Sequence, residues 1–272
     1  MSLNMGKGIE YVVVSVSGFC NLSCKDCFRI DDAQNMTVET FKALHSFFVE
    51  LGARHINFTG GEPLCNPHLD TFLSLSKEWG YYTILSTNGT LINKSNLSIL
   101  EKVDVLALSL DGETELINDA YRGQGHFQKT LDLIKTVSED FPHISIKINT
   151  LVTSHNVDGI LGIADILSPF SKQIICWKLF QVSNRGAVNK IEETDLIDDD
   201  VFWGLFGRAK ERATSKFHVH ALPVDAPTEY FMIRCDGSII IVGDDGYREI
   251  SAVNDLPFSN NNFSKTSLGY EE

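Results

Sequence analysis

The chain has 272 residues, 43% of them hydrophobic and 22% charged, which is the composition of a soluble globular protein and not of a disordered or fibrous one. Its 36 acidic residues outnumber 23 basic ones, and the resulting charge of −13 argues against nonspecific nucleic-acid binding, which depends on Lys and Arg contacts to phosphates. No run approaches the ~20 consecutive apolar residues of a membrane span, and Met1 to Lys7 lacks the apolar centre of a secretory signal, so a cytoplasmic protein without a membrane partner is expected.

Short apolar runs alternate with helical periodicity along most of the chain. Tyr11 to Val16 is continuous and β-branched, as a strand buried on both faces should be. Val38 to Leu51 places Val38, Phe41, Leu44, Phe47, Phe48 and Leu51 at helical spacing. A strand at Ile56 to Phe58 precedes a helix from about His68 to Trp79, and a strand at Tyr82 to Ser86 precedes one from Asn93 to Lys102. Strands at Val105 to Leu110, Ile144 to Val152 and Ile174 to Val182 are followed by helices at about His126 to Glu139, Val157 to Leu167 and Asp198 to Arg212. The three aspartates opening the last helix suit the positive end of its dipole.

Six such units with helical crossovers predict an α/β fold with a parallel sheet. Six fall short of a closed eightfold barrel, so the expectation is a partial (β/α)6 parallel barrel over residues 11–216. Residues 1–10 read as an N-terminal leader. Tyr230 to Ile233 and Ser238 to Val242 flank the turn signal Cys235-Asp236-Gly237 and predict a C-terminal hairpin or flap, within an extension (217–272) expected to close the barrel mouth. Asn260 to Glu272 reads as a loose end.

Three of the six cysteines, Cys20, Cys24 and Cys27, fall within eight residues directly after the first strand. Ligand sites of parallel α/β proteins gather at the carboxyl ends of the strands, so this loop lies where chemistry is expected. Three thiolates can bind zinc or three irons of a [4Fe–4S] cluster. Structural zinc takes four ligands, and the lack of an evident fourth favours a cluster with one iron left open. Cys65, Cys176 and Cys235 read as free or packed thiols.

The Cys-x3-Cys-x2-Cys spacing resembles the signature of radical S-adenosylmethionine (SAM) enzymes, whose fold is a partial (β/α)6 barrel. Thr59-Gly60-Gly61-Glu62-Pro63 after the second strand is similar to that family's Gly-Gly-Glu-Pro motif. The resemblance implies that Cys20, Cys24 and Cys27 hold the cluster. It also implies that Gly60, Gly61, Glu62 and Pro63 hold the methionine amino group, with glycine letting the backbone approach the ligand and the carboxylate pairing with an ammonium. Ser86, Asn88 and Ser109 resemble positions contacting methionine and ribose, and Arg122 resembles an arginine near the SAM carboxylate. The residue before the third cysteine, commonly aromatic and near adenine, is Asp26 here, with Phe28 one place later.

Later stretches (Ile56 to Pro63, Arg122 to Gly125, Lys147 to Thr150, Trp177 to Gln181) look like viperin-type members of the family, which dehydrate nucleoside triphosphates to antiviral 3′-deoxy-3′,4′-didehydro nucleotides. That resemblance places Arg122, Lys147 and Lys178 at the triphosphate and Asn149 near the ribose or base. It implies reductive cleavage of SAM and hydrogen abstraction from the substrate with no protein acid or base, the electron coming from a ferredoxin or flavodoxin. Radical SAM modification of a peptide or small metabolite is the alternative. His55, His126, His143 and His155, at element boundaries, read as solvated or capping residues, and His218 and His220 alternate onto one face.

Overall fold

The computed structural model describes residues 9–25, 27, 29, 32–183, 191–213, 216–224, 230–243 and 246–250. Residues 1–8 of the leader, Asp26, Phe28, residues 184–190 and residues 251–272 lie outside them.

A single ten-stranded sheet organises the chain. Its parallel strands are β1 (Tyr11–Ser17), β2 (His55–Gly60), β3 (Tyr82–Ser86), β4 (Val105–Ser109), β5 (Ser145–Val152), β6 (Ile174–Gln181) and β7 (His218–Leu222), each beside the next. β8 (Tyr230–Ile233) runs parallel to β1 on its other side and is followed antiparallel by β9 (Ile239–Gly243) and β10 (Gly246–Ile250). The fold is thus the expected partial barrel with a C-terminal hairpin. The described part of that hairpin lies edge to edge with β1, so it lengthens the sheet; the closing of the mouth assigned to 217–272 falls mostly on residues outside those described.

Helices cover the outer face. They are α1 (Val38–Ala43), α2 (His45–Leu51), α3 (Leu69–Glu78), α4 (Glu115–Arg122), α5 (His126–Asp140), α6 (Leu161–Leu167) and α7 (Asp199–Ala213). Between them and the sheet lies the main core, with Phe41, Phe58 and Phe72 fully buried and the Phe41 ring 4.8 Å from Phe72 and 5.6 Å from Trp79. Burial of this aromatic group contributes a large share of the apolar stabilisation on the β1–β3 side.

Three helices differ from their sequence expectation. The helix over 38–51 is interrupted at Leu44, which ends α1 and starts α2. The stretch 93–102 contains only a 3-10 turn at Leu97–Lys102, held at its start by Asn93 and Asn96 side chains bonding nearby backbone. Residues 153–160 form turns before α6, because the Asn156 side chain binds the carbonyls of Asp111 and Leu151 and draws the chain away from a helix. α4 is additional. Thr114 caps it by accepting from Ile117 N, and Gly123 ends it.

The barrel's inner face has two tiers. Near the amino ends of the strands Tyr11, Ile84 and Val105 are buried together, with Val13, Tyr82 and Ile175 against them. His55 belongs to this end, its ring 5.3 Å from Tyr82 and edge-on to it. Towards the carboxyl ends the same alternation presents polar residues: Asn57, Ser86, Ser109, Lys147, Asn149 and Lys178. The apolar tier closes the base, and the polar tier forms a wall below the loops.

Candidate active site

The cysteine loop leaves β1 at Gly18, whose N–H donates to Gln34 O at 2.8 Å. Cys20, Cys24 and Cys27 are free thiols, each half-buried. Burial raises the Cys20 thiol above its ordinary pKa, and the charges of Glu62, Cys24 and Cys27 push the same way, so these four groups sense one another. Cys24 is also raised by burial, against the pull of Arg122, which hydrogen-bonds it.

Gly60 and Gly61 hold this loop from below. Gly61 N donates to Ser17 O at 2.6 Å and Glu62 N to Phe19 O at 2.8 Å. A Cβ on Gly61 would stand 2.5 Å from the Phe19 carbonyl oxygen and 3.1 Å from the Cys20 Cβ, and one on Gly60 (φ 142°) would overlap Ser17 O. A second physical reason for the glycine pair follows: the space a side chain would take is filled by the backbone at Ser17 and Phe19.

Glu62 is fully buried. Its carboxylate accepts from Thr87 Oγ1 at 2.7 Å, Asn88 N at 2.8 Å and Leu64 N at 3.1 Å, while Pro63 starts the short turn it caps. Burial raises its pKa and these three bonds oppose the rise. They use three of roughly four acceptor positions of a carboxylate, leaving one for a further donor such as an ammonium. Asn88 reaches the cysteine loop, donating to Asn21 Oδ1 at 3.0 Å and lying 3.9 Å from Cys20 Sγ. Ser86 donates to Asn57 at 2.8 Å on the inner wall.

Arg122, the last residue of α4, forms an ion pair with buried Asp111 and bonds Cys24. Asp111 and Cys24 together hold its pKa above the ordinary arginine value against burial. The structure thus puts Arg122 against the cysteine loop. Beside it Lys25 N donates to Tyr121 O at 3.1 Å, and Lys25 Nζ meets Asp195 at 2.9 Å. His155 Nε2 lies 2.7 Å from the same carboxylate, which is wholly buried. Asp195 ends a 3-10 turn (Glu193–Asp195) after β6, where Glu192 completes a reciprocal cap. His126 is buried, with Nδ1 3.1 Å from Asn118, and burial with nearby Arg122 pushes it down to about 4. His126 is therefore a buried contact and not the solvated or capping residue its position suggested, whereas His155 is 52% exposed, solvated as expected, and also meets Asp195.

The strands β4–β7 carry the other side of the site. Register sets Ser109 beside Asn149, Asn149 beside Lys178 and Lys178 beside His220, with Lys147 beside Cys176 one level lower and Cys176 beside His218. Burial pulls Lys178 down to about 7, helped by the charge of Lys147, and burial lowers Lys147 too. Asn149 Oδ1 is buried with no hydrogen-bond donor. An unmatched acceptor beside two cations is the composition of a ligand wall.

The residues present fit an iron–sulfur cluster. Three free thiols share one loop, with Arg122 offsetting the negative charge that thiolates would bring. No three His, Cys, Asp or Glu side chains among the described residues converge on one point as a single metal ion requires.

A parallel half-barrel with a thiol-bearing loop on its carboxyl edge defines a cofactor-dependent α/β enzyme. The radical SAM superfamily model matches residues 14–166, more than half of the chain, and the chain belongs to that superfamily. Its members use a [4Fe–4S] cluster and S-adenosylmethionine. The Fe-coproporphyrin III synthase of Methanosarcina barkeri is 29% identical over 233 residues, covering 83% of this chain and 56% of that protein. The GTP 3′,8-cyclase of Chlorobaculum tepidum is 31% identical over 156 residues, 54% of this chain and 46% of the relative. The chain thus spans about half the length of these relatives. Among solved structures, Streptococcus suis SuiB bound to precursor peptide SuiA superposes with a TM-score of 0.72 at 19% identity, covering 85% of this chain and 59% of that one. Native anSMEcpe with bound AdoMet gives 0.68 at 17%, covering 92% and 80%. At these identities the likeness to both is one of fold.

Local motif reading singled out the three cysteines and Glu62, but it did not point to Thr87, which hydrogen-bonds Glu62, or to Asp195 and Lys25, which pair across the cysteine loop. Thr87 is the exception that had a signal, since it sits between two singled-out positions, Ser86 and Asn88.

Proposed function

We propose that this radical SAM enzyme acts on an anionic small molecule, a carboxylate or phosphate, held by Lys147, Asn149 and Lys178 on the inner wall. The observation that carries this reading is the placement of two largely buried lysines on the inner face of adjacent strands, with the unmatched Asn149 Oδ1 beside Lys178. An anion beside Lys147 would stabilise its ammonium, and such charge-assisted bonds are the strong kind. Cys20, Cys24 and Cys27 would hold the cluster, and Glu62, Pro63, Ser86, Asn88, Ser109 and Arg122 would line the SAM side. Cluster and SAM together supply one-electron chemistry that removes a hydrogen atom from the substrate. The chain's own residues bind the anion, fix its orientation and exclude water below the polar tier through the apolar base.

A viperin-type nucleoside triphosphate is the second reading, favoured by the two lysines set to meet neighbouring phosphates. With Arg122 engaged by Asp111 and Cys24, fewer cations face the substrate than the sequence suggested, so a substrate with one or two anionic groups matches the wall better. The test is anaerobic: reconstituted protein, SAM and dithionite, with 5′-deoxyadenosine measured against CTP, UTP, GTP, porphyrin carboxylates, 2-oxo acids and no addition. Stimulation by a porphyrin carboxylate or a 2-oxo acid supports the first reading, and a nucleotide-dependent burst with a dehydrated product supports the second. Cleavage that ignores every anion overturns both.

A further inference from the structure

Lys178 lies in mid-β6 and is 8% exposed. Its ammonium lies 5.0 Å from the centre of the Phe180 ring, and it forms no ion pair with a described carboxylate. The titratable groups around it are Lys147 on β5, Cys176 on its own strand, and His218 and His220 on β7. A lysine next to a second cation and largely out of water is held towards the neutral amine. Lys178 is pulled down to about 7. A neutral lysine amine is a nucleophile for carbonyl carbon, and desolvation beside another cation is a standard way of making one.

We propose that Lys178 captures an aldehyde or ketone group of the substrate as a Schiff base, while Lys147 and Asn149 hold the anionic end of the same molecule. The substrate class is then a carbonyl compound carrying a carboxylate or phosphate, the simplest being a 2-oxo acid. The amine nitrogen attacks the carbonyl carbon, forming the C–N bond. The carbonyl oxygen takes both amine hydrogens and leaves as water as the C=N bond completes. No electrons are exchanged, and hydrolysis reverses the step. Asn149 Oδ1, buried without a donor, stands beside Lys178 in register and can accept from a carbinolamine hydroxyl on the way. The imine would fix the substrate carbon against the wall while the chemistry proceeds elsewhere on the molecule.

This rests on the anionic-substrate reading, and the experiment separates the two. The full chain is incubated anaerobically at pH 7 with pyruvate and cyanoborohydride, and peptides are mapped by mass spectrometry. The expected result is a reduced pyruvyl adduct on Lys178, formed about tenfold faster than on exposed Lys94. Lys178→Arg should lose it, with circular dichroism and cluster spectrum unchanged. In Lys147→Gln the midpoint of the pH–rate curve at Lys178 should rise, because a neighbouring cation has been removed; a merely exposed lysine would not respond. Lactate, which has the carboxylate and no carbonyl, should protect Lys178 and bind by calorimetry. Lactate binding without pyruvate trapping would overturn the imine and leave the anion site standing. Labelling spread evenly over surface lysines, with no lactate binding, would overturn both.

Discussion

The two sides of the barrel mouth are built on opposite plans. On the cysteine side Glu62 accepts three bonds, Arg122 holds Asp111 and Cys24, and Asp195 takes both Lys25 and His155, with Asn35 Oδ1 and His126 Nε2 the buried atoms left unmatched there among the described residues. On the β5–β7 side Asn149 Oδ1 has no donor, and Lys178 has an aromatic ring where an ion-pair partner would stand. Satisfied buried networks are rigid and fix one geometry, while unsatisfied ones carry a cost that a ligand can remove. On the proposed reading the first side is shaped in advance for the cluster and SAM, and the second is left for a substrate that comes and goes.

The comparison can be broken most severely at the thiols. Cys24→Ser should abolish cluster retention and SAM cleavage, read by iron content and 5′-deoxyadenosine; a variant that keeps a full cluster would contradict the assignment of that ligand. Gly61→Ala comes next. Its methyl must push the Phe19 carbonyl, at a cost of about 1–3 kcal/mol, and the cluster spectrum should change more than the melting temperature. Asp195→Asn should loosen the cysteine loop from the β6 side. It leaves Lys25 and His155 without their shared carboxylate, and the loss is expected at about 1 kcal/mol because Lys25 is 41% exposed. The readout is the rate of cluster loss to a chelator.

Lys178→Met is the smallest effect and has the opposite sign. The folded pKa of Lys178 lies near 7, below its unfolded value, so the folded state binds fewer protons between these limits. The penalty for burying the charged form is full below about pH 7 and fades as pH rises to the unfolded value. The variant should accordingly melt a few degrees higher than the parent at pH 6, with the gap closing towards pH 10, while lactate binding is lost at every pH. A gap that grew with pH would mean the ammonium is stabilised where it lies.

What could be read in advance follows the range of the interactions. The six strand–helix units were legible because each strand announces itself in four to eight residues. The cysteine triad and Gly60 to Pro63 were legible for the same reason. α4 was not, because its apolar residues do not form a buried stripe: Leu116 is 84% exposed, and the helix is fixed instead by Thr114 and by the Asp119 carboxylate turned back on Gly125 and Phe127. The Lys25–Asp195 pair spans 170 residues and leaves no periodic trace. Nor does a sequence say that a C-terminal hairpin will choose the free flank of β1. The glycine pair was legible as a motif, but the close approach of the Ser17 and Phe19 backbone to it needed coordinates.

That flank has one more consequence. Val13 and Val14 sit in register with Met232 and Ile233, so the strand that carries the cysteine loop is an interior strand, not a border. Cleavage after Leu222 would bare its main-chain amides and carbonyls and turn it into a template for a second molecule. Such a shortened chain should self-associate through β1, so that the loop meant for the cluster would be found at the seam of an aggregate.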